Sequence, residues 1–92
     1  MKRGIMMQQF MGKFEQLNGV EATVSLKHYI FDRQDFYCNK LQIVNNEEII
    51  GVILKCQKKY MYKRDVKVVE VQDNKYILSD GRLTITIIVN SL

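Results

Sequence analysis

The chain has 92 residues, 47% of them hydrophobic, with five Tyr, four Phe and neither Pro nor Trp. That length supports one core, its aliphatic and aromatic content excludes a disordered chain, and the absence of proline excludes polyproline ligands and proline-rich linkers. Fourteen Lys and Arg against ten Asp and Glu give a net charge of +4, and where that charge sits matters more than its size.

Lys2 and Arg3 stand before Ile5, Met6 and Met7 in the manner of a signal peptide, but Gln8 and Gln9 break the run and Lys13 and Glu15 follow. No stretch reaches the eighteen or so apolar residues of a membrane span. The expectation is a cytoplasmic location with no integral membrane association. The expected organisation is a single domain over 1–92, with a helix over about 4–17 and strands over about 20–90. Met7, Phe10, Met11, Phe14 and Leu17 recur at three-to-four spacing, the apolar stripe of an amphipathic helix. Asn18 and Gly19 end it, because both tolerate the left-handed conformation. Gly12 weakens its middle by about 1 kcal/mol relative to Ala.

Residues 22–31 alternate Ala22, Val24, Leu26, His28 and Ile30 with Thr23, Ser25, Lys27, Tyr29 and Phe31, a period of two that predicts a first strand. Residues 32–35 (DRQD) form a turn. Residues 36–44 predict a second strand whose apolar phase changes from Phe36 and Cys38 to Leu41 and Ile43, as a bulge near Asn39 or Lys40 would produce. After the polar NNEE turn, residues 49–54 (IIGVIL) are apolar on both faces and predict a central strand.

The last third is a predicted meander. Asp80-Gly81 suits a two-residue type I′ turn, pairing Leu78 with Leu83 and Tyr76 with Ile85. Asp73-Asn74 suits a similar turn one strand earlier, pairing Val71 with Tyr76 and Val69 with Leu78. The two turns agree in phase, placing Val69, Val71, Tyr76, Leu78, Leu83, Ile85, Ile87 and Val89 on one face. The expected fold is therefore mainly β: an N-terminal α-helix followed by about six antiparallel strands, forming a small rolled sheet or partly closed barrel.

Between strands lies KCQKKYMYKRDVK, residues 55–67. Its six bases (Lys55, Lys58, Lys59, Lys63, Arg64, Lys67) and one acid (Asp65) carry +5, whereas the remaining eight bases and nine acids carry −1. In an extended stretch Tyr60, Tyr62 and Arg64 point one way and Lys59, Met61 and Lys63 the other. Tyrosines two apart on a strand can stack nucleobases while neighbouring cations neutralise phosphates. The same composition also suits a solvated strand whose lysines discourage edge pairing.

Catalytic and metal chemistry find little support. His28 is the only histidine, and no neighbouring nucleophile and orienting acid surround it. Asp65-Val66-Lys67 has the acid-x-Lys spacing of a metal-dependent nuclease strand, a three-residue pattern that recurs by chance. Cys38 and Cys56 would face each other if the NNEE hairpin closed with a three-residue loop; they read as reduced small hydrophobes, and without CxxC or HxxxH spacing no zinc site is expected. No cofactor is expected. The function expected is a non-enzymatic binding module for single-stranded RNA or DNA through Lys58, Lys59, Tyr60, Tyr62, Lys63 and Arg64. The alternative is protein interaction or self-assembly, through an acidic protein partner or a homo-oligomer.

Overall fold

The computed structural model of the chain describes residues 7–90. The expected helix is α1, Met7–Glu15, and the part placed before Met7 lies outside the described residues. Its stripe does what the spacing requires: Phe10, Phe14 and, just beyond the helix, Leu17 are buried, with the two Phe rings stacked at 5.6 Å. The chain tightens after Glu15, where the Gln16 and Leu17 N–H groups donate to the Lys13 and Phe14 carbonyls. Gly19 then takes φ +91 and turns the chain away.

Eight strands follow: β1 (Ala22–His28), β2 (Gln34–Cys38), β3 (Gln42–Asn45), β4 (Ile49–Leu54), β5 (Gln57–Tyr62), β6 (Val68–Gln72), β7 (Lys75–Ser79) and β8 (Leu83–Val89). They form two antiparallel sheets, one ordered β2-β1-β8-β7-β6 and the other β3-β4-β5. The mainly β fold with one N-terminal helix is thus as expected, but among the described residues the strands number eight and the two sheets do not close into a barrel. Burial explains the stacking of the two sheets. Ala22, Val24, Ile85, Ile87, Leu78, Ile50, Val52 and Met61, drawn from both, join Phe10 and Phe14 in one buried cluster. The helix lies near β6, and Phe10 meets Tyr76 of β7 edge to face at 6.4 Å.

Several expectations change in detail. The first strand ends at His28, and Tyr29, Ile30 and Phe31 are exposed on the following turn. The phase change in residues 36–44 is a change of sheet rather than a bulge: Cys38 ends a strand paired with β1, and Gln42 begins one paired with β4. Buried Leu41 bridges them; its N–H donates to Val20 O at 2.8 Å and its carbonyl accepts from Gly19 N.

The NNEE turn closes with two residues, since Asn45 pairs with Ile50, and the Asn46 side chain accepts from the Glu48 and Ile49 N–H groups. The change of sheet after Cys38 separates the cysteines. Cys38 pairs with Ala22, Cys56 lies exposed in the β4–β5 turn, and both are free. Burial pushes the Cys38 thiol pKa up, which keeps it protonated.

The meander keeps its predicted face while one register slips. Val71 pairs with Tyr76 as expected. Leu78 pairs with Ile85 instead of Leu83, because Gly81 and Arg82, not Asp80 and Gly81, occupy the middle of the turn. Gly81 takes φ +93, and Asp80 N donates to Leu83 O. A slip of two residues preserves the inward side of each strand, so the core set survives it. Pairing of β8 with β1 then joins the meander to the first strand.

Candidate functional site

The basic stretch is not uniformly extended. Lys55 and Cys56 form a tight turn with φ of 52° and 67°, β5 follows, and Lys63–Asp65 is a single 3-10 turn. Within β5 only Met61 is buried. This anchors the strand, because alternation sends Met61 to the core and turns Lys58, Tyr60 and Tyr62 outward. Lys59 is half-buried on the Met61 side. Arg64 reaches the tyrosines through the 3-10 turn rather than along the strand, and its guanidinium sits 5.0 Å from the Tyr62 ring centre.

β5 is an edge strand, hydrogen-bonded to β4 alone. Its seating depends on Gly51, which pairs with Tyr60. A Cβ at Gly51 would overlap the Lys59 carbonyl oxygen and come within 2.5 and 2.8 Å of the Tyr60 Cα and Cβ. Glycine is needed there because two backbones approach closely, not for an unusual φ.

Tyr60 and Tyr62 are 40% and 41% exposed, enough for a planar ligand to reach them. Their rings meet edge to face at 5.9 Å and 84°, so they do not offer two parallel platforms. Arg64 lies over one side of Tyr62, yet the two rings are almost equally open. Two hollows meet at Tyr60. The first, about 540 Å³, is lined by Tyr60, Tyr62, Arg64, Asp65, Lys67, Asp80 and Arg82 together with Met61. The second, about 360 Å³, combines Lys58, Lys59 and Tyr60 with His28, Phe31, Gln34 and neighbouring residues of β1, β8 and the β1–β2 turn.

The fold thus gathers five of the six expected residues around these hollows: Lys58, Lys59, Tyr60, Tyr62 and Arg64. Lys63 lines neither; it is half-buried, with its backbone N–H donating to Glu48 O at 2.8 Å. Sequence reasoning missed Lys67, Arg82, His28 and Phe31. A signal for Lys67 did exist, since extending the predicted pairing of residues 71 and 76 sets it opposite Asp80. Arg82 and Phe31 arrive through contacts between distant segments and left no local mark.

Acids are interspersed with these bases, yet among the described residues the one ion pair is Arg33 with Asp35, elsewhere at 3.2 Å. Asp80 is occupied by backbone: its Oδ1 accepts from the Arg82 and Leu83 N–H groups at 2.9 and 2.8 Å. The cations of the site therefore have no carboxylate within bonding distance and remain open to an external anion.

Other chemistry is sparse. His28 Nδ1 is buried without a hydrogen-bond partner, and its ring lies 5.2 and 5.4 Å from those of Tyr29 and Phe31. Among the described residues no three His, Cys, Asp or Glu side chains come together as a metal site, and no helix is long and apolar enough to cross a membrane. Compared with protein-family models, curated proteins and solved structures, the chain has no match.

Proposed function

We propose that this protein is a non-enzymatic module that binds single-stranded RNA or DNA along the outer side of β5. The observation that carries the reading is the pair of half-exposed tyrosines, Tyr60 and Tyr62, set among Lys58, Lys59, Arg64, Lys67 and Arg82, none of which has a carboxylate partner among the described residues. Open rings stack on bases, and unpaired cations release counterions from phosphates. Lys63 is a peripheral contributor to the same field.

Binding by such a surface weakens steeply with salt. Reversing four charges (K58E, K59E, K63E, R64E) should lower affinity for a labelled oligonucleotide at least about a hundredfold and flatten the salt slope. Equal binding by the variant and the native chain at low salt would remove the proposal.

A second reading is favoured by one observation. The outer strands β2, β3, β5 and β6 each have a single ladder partner, and Tyr29, Ile30 and Tyr37 are exposed on the surface at 65%, 60% and 63%. Self-assembly, or docking of an acidic protein, would cover such edges and rings. Native mass spectrometry then gives a discrete oligomer; a strict monomer across micromolar concentrations counts against self-assembly.

A further inference from the structure

The second hollow has more than charge in its walls. On one side Tyr60 packs against Tyr62, and on the other Phe31 packs against His28 at 5.4 Å. Tyr60 comes from β5, His28 from the end of β1 and Phe31 from the β1–β2 turn, so only the fold brings these three rings to a common space. Lys58 and Lys59 lie at the same space.

Phe31 is 64% exposed, although its turn is well held. Lys27 Nζ donates to the carbonyls of His28 and Phe31, each at 3.2 Å. The Phe31 N–H donates to His28 O at 3.1 Å, and the Tyr29 N–H ties the turn to Arg82 O at 2.9 Å. These bonds hold the backbone of the turn while the Phe31 ring stands in water, so covering a flat group with that ring costs little further backbone entropy.

We propose that this hollow is a slot for one unpaired base of the bound strand, with Tyr60 and Phe31 as its stacking surfaces and Lys58 and Lys59 on the adjoining phosphates. The proposal rests on the nucleic-acid reading and deepens it. A volume of about 360 Å³ lies within the range of small-ligand sites, which begins near 300 Å³. Gln34 and Asp32 on the rim supply an amide and a carboxylate, groups that pair with base edges. Bases in a duplex are stacked away from such a slot, so it selects for single strands.

Phe31 is uncharged and is not among the residues changed in the first test, although it shares the hollow with Lys58 and Lys59; removing its ring takes away stacking and no charge, which separates the two ideas. F31A should weaken binding of a short labelled oligothymidylate about tenfold, with the salt slope unchanged. Binding of the same strand made abasic should not change, since its phosphates remain. Because Phe31 is mostly exposed, F31A keeps the native denaturation midpoint.

F31W adds a direct readout, as the chain has no other tryptophan. Its emission should be quenched by oligothymidylate and not by the abasic strand. Quenching by thymidine monophosphate as well would extend the slot to free nucleotides, whereas quenching by the strand alone would restrict it to nucleic acid. If F31A binds both strands as the native chain does and F31W is not quenched, the slot is overturned and the charge-based reading stands. If the native chain binds neither strand, both fall.

Discussion

Asp80 illustrates how one side chain ties the rim of the site to the fold. Partial burial raises its pKa, but the Leu83 and Arg82 backbone N–H groups, with the Arg82 guanidinium, outweigh that and hold the carboxyl below its ordinary value. A group whose pKa is depressed on folding contributes stability that is complete above its unfolded value and lost as pH falls through the folded one. D80N keeps an acceptor oxygen and abolishes the titration. The native chain should therefore exceed D80N in stability at neutral pH by less than about 1 kcal/mol, and the gap should close as pH drops below about 4. Urea midpoints across that range test this; a gap that persists unchanged into strong acid would contradict it. Tyr37 shows the opposite direction. Its hydroxyl donates to the Glu21 carboxylate, and that bond raises the phenol pKa.

At the scale of elements, the turn between β4 and β5 decides how the tyrosines are presented. Lys55 and Cys56 both hold positive φ, a conformation that costs a residue bearing Cβ about 1–2 kcal/mol. No Gly, Asn or Asp marks this turn, so the charge run concealed it. Cys56 is exposed and free, and C56G should relieve strain by more than it adds in unfolded-chain entropy, raising stability by about 0.5–1 kcal/mol. A lower urea midpoint for C56G would show that the thiol packs more usefully than its exposure implies. Elsewhere turn chemistry was legible. Asp73 at φ 56 and Gly81 at φ 93 occupy the two turns of the meander, but each turn has one positive φ where the expected type I′ geometry needs two, and the central pair at the second is Gly81-Arg82 instead of Asp80-Gly81.

For the whole molecule, the helix and both sheets share one buried cluster. Phe14 is wholly buried in it, so F14A should cost about 3–5 kcal/mol through lost burial and the cavity left behind. A common core also means common loss: far-UV circular dichroism and tyrosine fluorescence should trace the same denaturation curve for the native chain and the variant. Separate transitions for the two signals would mean that the three-stranded sheet holds together independently. Pairing of β1 with β8 inside the five-stranded sheet joins segments some sixty residues apart, and that pairing brings the β1–β2 turn and the β7–β8 turn to the flank of β5.

The sequence by itself determined the periodic elements. Three-to-four spacing fixed which side of α1 is buried, and period-two alternation fixed the inward sides of β1 and of the meander, because these patterns depend only on local geometry. It also located the basic and aromatic residues of β5. The tertiary structure alone decided that residues 36–44 divide between two sheets, that β8 pairs with β1, and that Phe31, Lys67 and Arg82 stand beside Tyr60. Those outcomes follow from burying apolar surface between distant segments, and a local pattern of residues carries no record of which distant surface will cover it.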